Sequence, residues 1–415
     1  MSKLLYHLFL FIYKNGIRIA ALWNRKARLW VQGRKVFPTI TKRGERTVWM
    51  HCASLGEFEQ GRPVLEAIRA KYPAVTIVLT FFSPSGYEIR KNYTGADYIF
   101  YLPADSSANA KKMIEAIRPS LVLWVKYEFW YYYLAEFKRN NIPVLMISGI
   151  FREDQPFFKW YGNIWRKMLP CFTHIFVQNS SSMELLNELG YKNNVTIGGD
   201  TRFDRVIEIA EKFEPVPLIE KFCGLGKVVV AGSTWEEDEA EWTHYVKAHP
   251  QIKFIIAPHE IDSENLKDVK TAFPGSLFYS ELLSMEDAVD NSIHVLVIDN
   301  IGMLSRLYAY AHITFVGGGF TSEGIHNVLE AAVYGKPVIY GPYHEKFAEA
   351  VELVETGAGI CINNALELEK VMSELWHNET LLKAKSDAAK QYVYSNAGAT
   401  GKIMDHIQAN RLLTS

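Results

Sequence analysis

Three groups of residues in this 415-residue chain have the types and spacing for chemistry on a phosphorylated or hydroxylated ligand. The first is ITFVGGGFTSEGIHNVLEAAVYGKPVIYG, residues 313–341. It reads as strand, glycine loop, helix, strand, with the helix expected from near His326. Gly317, Gly318 and Gly319 let a backbone turn sharply and approach a ligand closely. N–H groups at a helix start attract a phosphate through hydrogen bonds and the helix dipole. Glu330 follows His326-Asn327 by about one turn, where its carboxylate can accept bonds from two ribose hydroxyls. The stretch is neither the G-x-G-x-x-G dinucleotide fingerprint nor a P-loop. Gly-rich turns follow strands in any α/β domain; the combination with Glu330 and Gly335-Lys336-Pro337 is what singles this one out.

The second group, Ser54-Leu55-Gly56-Glu57, ends the first expected strand. A carboxylate at Glu57 can take the proton of an attacking hydroxyl, or serve only as an acid favourable to a helix start. The third follows strands in the second half of the chain. Ser233 and Thr234 can cap a helix or donate to a phosphate. His259, in Ala257-Pro258-His259-Glu260, can contact the same ligand or be incidental to it.

Strands and helices alternate along the chain, which calls for parallel sheets covered on both faces. Expected strands are 48–53, 76–82, 98–102, 121–125, 144–147, 174–178 and 195–197, then 227–231, 254–257, 294–298, 313–316, 338–340 and 359–362. Two prolines in Lys212–Pro217 mark a linker. The expected division is therefore 33–211, the linker 212–217, a second domain 218–378, and helices 379–415, with Glu379–Tyr394 a candidate to cross back to the first domain.

Residues 1–32 stand apart. LLYHLFLFIY (Leu4–Tyr13) is broken by Lys14, Asn15, Gly16 and Arg18, and basic residues follow; residues 1–46 hold eleven Lys or Arg against one acid, Glu45. A clean span needs about 20 apolar residues, so the expectation is a membrane anchor, a helix inserted shallowly or steeply with its cations on anionic headgroups, against the alternative of an ordinary buried N-terminal helix. Phe157–Leu169, aromatic and basic, is a second candidate for that surface or a core helix. Formal net charge is −1, which gives no bias toward nucleic acid. Four cysteines match neither a metal site nor a disulfide framework.

Several of these stretches, in order, resemble the Kdo transferases of lipopolysaccharide synthesis. The resemblance rests on His51-Cys52-Ala53-Ser54-Leu55-Gly56-Glu57, Glu128-Phe129-Trp130, Gly199-Asp200-Thr201-Arg202-Phe203-Asp204, Gly232-Ser233-Thr234, Asp299-Asn300-Ile301-Gly302 and Gly317–Gly341. It implies a GT-B fold, two facing Rossmann-like α/β domains, with an N-terminal membrane-associated helix. It implies an inverting transfer of Kdo from CMP-Kdo to a lipid A precursor at the cytoplasmic face of the inner membrane. It implies neither cofactor nor required metal, and Glu57 as the general base. The donor would meet Ser233, Thr234, His259, Gly317, Gly318, Gly319, His326, Asn327 and Glu330. Ser54, Gly56, Lys126, Glu128, Arg152 and Arg202 would lie on the acceptor side or bind the donor carboxylate, Arg being suited to pairing with two oxygens.

The chain departs from the family at Lys126, where an acid is usual, at Tyr131 for Pro, at His259 for Arg, and at Gly149-Ile150-Phe151 for N-A-R. Two other readings remain open on the residues: a GT-B transferase using a UDP-sugar and a lipid-linked acceptor, and a non-catalytic nucleotide-sugar binder. Competition by CMP against UDP separates the first; donor binding without transfer identifies the second.

Overall fold

A computed structural model describes residues 3–42, 44–285 and 292–414. The chain divides into two units, 1–205 with 397–415, and 206–396. The first holds strands β1 (Thr47–Cys52), β2 (Thr76–Phe81), β3 (Tyr98–Tyr101), β4 (Leu121–Val125), β5 (Val144–Gly149), β6 (His174–Val177) and β7 (Val195–Ile197). They form one parallel sheet in the order β3-β2-β1-β4-β5-β6-β7. Alternate side chains point to opposite faces. Trp49, Val78, Val122, Trp124 and Met146 fill one core, and Val48, Met50, Ile77, Leu79, Leu123 and Ile147 the other. Burial on both faces explains why these strands read as continuous apolar runs.

The second unit holds β8 (Val228–Thr234), β9 (Lys253–Pro258), β10 (Leu277–Phe278), β11 (Val295–Val297), β12 (Ile313–Val316), β13 (Val338–Tyr340) and β14 (Gly359–Cys361). Its parallel order is β10-β11-β9-β8-β12-β13-β14. Among the described residues only the two-residue edge strand β10 has no counterpart among the expected strands, being too short to show periodicity.

Three expectations differ from the structure. Lys212–Pro217 lies inside the second unit, where Val216 N donates to the Tyr310 hydroxyl at 2.6 Å and Phe213 packs on Tyr310 and Tyr334. The division falls instead within the helix Thr201–Glu211. The helix Glu379–Ser395 stays with the second unit, and Ala399–Ala409 belongs to the first. There Ile403, Met404 and Ile407 join the core, and the Asp204 carboxylate accepts the Gly398 and Thr400 N–H groups, each at 2.6 Å. Phe157–Leu169 is not one helix but short turns, Pro156–Phe158 and Asn163–Arg166. Gly162 explains the break: a Cβ there would lie 1.7 Å from the Pro156 carbonyl oxygen. Phe157, Ile164 and Met168 are buried, whereas Trp160 is 91% exposed.

Among the described residues no helix is long and apolar enough to cross a membrane. The N-terminal helix Lys3–Ala20 packs in the first unit rather than standing apart. Its Tyr6 is buried and donates to the Asp105 carboxylate at 2.6 Å. Leu4, Leu8, Phe11 and Ile12 are left exposed.

Candidate functional site

In open parallel sheets a ligand crevice forms beyond the carboxyl ends of the strands, where the strand order reverses. In the first unit that point lies between β1 and β4. The loops that leave these strands carry Ser54–Glu57 and Lys126–Glu128. The helix after β1 starts at Leu55, so Glu57 sits in its first turn. Glu57 Oε2 accepts the Ser54 N–H at 3.0 Å and the Ser54 hydroxyl. This is a capping box. Glu57 is half-buried, and its Oε1 has no hydrogen-bond partner among the described residues. Gly56 is exposed, and a Cβ there would meet only Ser54 Oγ, at 3.8 Å.

Tyr127 draws the rest together. The Lys126 ammonium lies 5.0 Å and the Arg152 guanidinium 5.9 Å from its ring centroid. Burial pushes the Tyr127 phenol up from its ordinary pKa, Arg152 and Arg202 pull it down, and Glu57 pushes it up again. Three expected site residues thus act on one hydroxyl. Lys126 itself adopts φ +58°, in the left-handed region. Such backbone strain clusters at functional sites. Arg202 is held by Asp200, with Nε at 2.8 Å and a terminal nitrogen at 2.7 Å from Oδ2. Burial pushes the Asp200 carboxyl up, but the Arg202 charge and hydrogen bonds leave it below its ordinary value. Gln60 Nε2 also reaches Asp200, at 3.4 Å.

Glu128 turns back toward the sheet. Its Oε2 lies 2.6 Å from His51 Nε2 and accepts the Trp130 indole N–H at 3.0 Å. His51 is fully buried and also meets the Thr80 hydroxyl at 2.9 Å. His51 and Asp200 occur in the motifs above but read as strand and turn residues. Their partners become visible only once β1, β2 and β4 are side by side. Tyr127 carried no signal beyond lying between Lys126 and Glu128.

In the second unit the order reverses between β8 and β12. The three glycines after β12 are required by approach of the chain to itself. A Cβ on Gly317 would lie 2.3 Å from the Ser233 carbonyl oxygen, and one on Gly319 2.5 Å from Gly341 N. Gly318 has φ +89°. The loop N–H groups are not all open to an anion. Gly317 N donates to the Gly232 carbonyl at 2.9 Å, and Gly318 N to the Asp238 carboxylate at 2.7 Å. Burial pushes Asp238 up to about 6.

The expected helix from His326 is a single turn, Leu329–Ala332. His326 N is instead drawn back to the Gly317 carbonyl at 3.1 Å. One turn carries little macrodipole, which removes that part of the phosphate reading. Asn327 opens the turn: its side-chain oxygen accepts Leu329 N at 3.3 Å, and its amide donates to Glu330 Oε1 at 3.0 Å. Ser233 and Thr234 do not cap the following helix, which starts at Glu236 after Trp235. Strand β8 runs on through both, with a register shift, and Ser233 has φ +54°. The buried Thr234 hydroxyl donates to Glu239 at 2.8 Å.

The unit does bring His259 and His326 together. Their rings stack at 4.3 Å and 16°, and Trp235 stacks on His259 at 4.6 Å. The Trp235 indole N–H donates to His326 Nε2 at 3.0 Å, so that nitrogen carries the lone pair. Burial lowers His326 from 6.5 to about 4, and it lowers His259 as well. A base whose pKa falls on folding stabilises the fold in its neutral form. That stability is complete above about pH 6.5 and is lost as the pH falls toward 4. The melting temperature should therefore drop between pH 7 and 5 by less in His326→Gln than in the parent chain. Equal drops would show that His326 does not titrate in this range.

Residues 26–205 match the family described as 3-deoxy-D-manno-octulosonic-acid transferase (kdotransferase). The 3-deoxy-D-manno-octulosonic acid transferase of Aquifex aeolicus is 28% identical over 353 residues, covering 82% of this chain and 90% of that protein. The enzyme of the same description from Haemophilus influenzae is 24% identical over 373 residues, covering 86% of each. In structure, the UDP-GlcNAc 2-epimerase of Neisseria meningitidis superposes with a TM-score of 0.63 at 16% identity, over 88% of this chain and 100% of that one. That likeness concerns the fold alone: two Rossmann-like units of the GT-B type.

Proposed function

We propose that this chain is a Kdo transferase, like the family and relatives it resembles, and moves Kdo from CMP-Kdo to a hydroxyl of a lipid A precursor with inversion. The likeness to Kdo transferases supports transfer of Kdo; the donor, the acceptor and the mechanism are our reading. One observation carries it: the loops that leave β1 and β4 at the strand-order reversal of the first unit carry Glu57 and Tyr127, with the Lys126 ammonium 5.0 Å and the Arg152 guanidinium 5.9 Å from the Tyr127 ring. A carboxylate beside fixed cations suits a hydroxyl nucleophile on a phosphorylated acceptor, since Glu57 can take the proton while Arg forks pair with anionic oxygens. In the second unit His259, His326, Asn327 and Glu330 are neutral or anionic groups suited to a nucleoside, with ribose hydroxyls on Glu330. We read the transfer as metal-independent, and chelator should leave its rate unchanged.

The deciding experiment is product mass after incubation with CMP-Kdo and a tetra-acylated lipid A precursor. A mass increase of one or more Kdo residues supports the reading, and transfer from a UDP-sugar instead would replace it. Glu330→Gln should weaken CMP binding by about 1–3 kcal/mol, because a charged acceptor is lost. Unchanged CMP affinity would remove Glu330 from the site.

We place the protein at the cytoplasmic face of the inner membrane, lying on the bilayer. The exposed Leu4, Leu8, Phe11 and Ile12, with Lys14 and Arg18 on the same helix, support this. Phe11→Asp with Leu8→Asp should release the chain from anionic vesicles, and full retention would move the contact elsewhere.

A further inference from the structure

A cavity of about 330 Å³ lies beneath the N-terminal helix in the first unit. Leu10, Phe11 and Tyr13 form its roof, and Trp30, Phe82 and Trp130 its floor. Among the described residues Asp105 is the only carboxylate in its lining, and it is engaged by the Tyr6 hydroxyl and by the N–H groups of Tyr132 and Tyr133. A second cavity, also about 330 Å³, adjoins the first and shares Lys14, Trp30, Ala104 and Asn109 with it. This one is cationic: Lys14, Arg18, Arg34 and Lys35 line it, with no carboxylate among the described residues. Arg34 is committed to the carbonyls of Phe82 and Leu102, at 2.7 and 2.8 Å. Lys14, Arg18 and Lys35 make no salt bridge among the described residues.

An apolar pocket opening onto a cationic one fits an amphiphile with a hydrocarbon chain and an anionic end. A second feature says which amphiphile. Trp130 belongs to the floor and also donates its indole N–H to Glu128, the carboxylate paired with His51. The cavity is therefore one residue from the strand-end groups assigned to the acceptor side. We propose that this cavity receives one acyl chain of the acceptor, with Lys14, Arg18 and Lys35 holding the negative charge near the root of the chain. The proposal rests on the acceptor reading above and adds where the acceptor's hydrocarbon goes. It makes the N-terminal helix part of the substrate site: the Tyr6–Asp105 bond holds the roof in place.

Two substitutions fill the cavity, Leu10→Trp from the roof and Ala104→Phe from the wall. Melting temperature reports whether each folds, and Leu10→Trp carries the test if Ala104→Phe does not. Each methylene kept in water weakens binding about fourfold, so displacing two or three should raise KM for a tetra-acylated precursor roughly fifteen- to sixtyfold. The kcat/KM for the fully deacylated disaccharide acceptor should not change. Calorimetric binding of the acylated precursor should weaken by a similar factor, and this arm needs no turnover. If the parent chain transfers no Kdo to either acceptor, the functional reading fails, while the binding arm still decides the cavity. Unchanged affinity for the acylated precursor in a folded variant overturns the proposal. So does equal loss on both acceptors. Loss of binding to phosphatidylglycerol vesicles with acceptor affinity intact would assign the cavity to bulk lipid and also overturn it.

Discussion

Glu57→Gln should slow Kdo transfer by about 10²–10⁴-fold, the usual consequence of losing a general base. The substitution is informative because of how Glu57 is held. Its Oε2 accepts the Ser54 N–H at the start of the helix Leu55–Lys71. Glutamine satisfies the same capping box, since its amide oxygen accepts equally well. It cannot take a proton from a hydroxyl. Folding and CMP affinity should thus stay near those of the parent chain while the rate falls. Glu57→Ala would remove base and cap together and should also cost about 1 kcal/mol of stability. Transfer rate, CMP affinity and melting temperature on one Glu57→Gln preparation separate the cases. A near-normal rate would leave Glu57 as a capping residue only, and joint loss of rate and folding would point the same way.

The second large effect is expected on stability. Asp200 is buried and pairs with Arg202, whose side chain is 24% exposed. Asp200→Asn removes the charge that Arg202 and Gln60 face, and breaking such a pair costs about 3 kcal/mol. For a unit of this size that corresponds to roughly 6–12 °C in melting temperature. The pH dependence checks the cause. The folded Asp200 carboxyl lies below its ordinary 3.8, so its contribution is complete above that value and is lost as the pH falls through the folded pKa. Parent and variant should therefore differ at pH 7 and converge in acid. A difference that stays constant as the pH falls from 7 into acid would assign the loss to packing rather than to the ion pair. Transfer should also fall in Asp200→Asn, because the Arg202 fork loses the group that aims it.

The alternation of strands and helices was legible along the chain because a strand buried on both faces must be apolar throughout. TVWMHC, TIVLTF and LVLWV leave no other reading within a β–α alternation. The motifs at strand ends were legible for a related reason. Glycines, caps and charged groups cannot sit inside such a strand, so they mark where it stops. Boundaries were less legible: Thr201–Glu211 runs across the division between units, and the two prolines of Lys212–Pro217 mark the start of a helix instead.

By itself the sequence determined two parallel-sheet units, the loops that carry the candidate site, and the likeness to the Kdo transferases. Local pattern is enough for these, since each depends on residues near one another in the chain. Only the tertiary structure decided what those residues do to each other. Gly318 N is taken by Asp238, 80 residues away, and His51 pairs with Glu128 across 77 residues. His259 and His326 meet as stacked rings, and Tyr6 docks on Asp105. Hydrogen bonds and ring contacts depend on ångström-scale geometry between strands and loops distant in sequence. That geometry is set by sheet order, which no local spacing encodes.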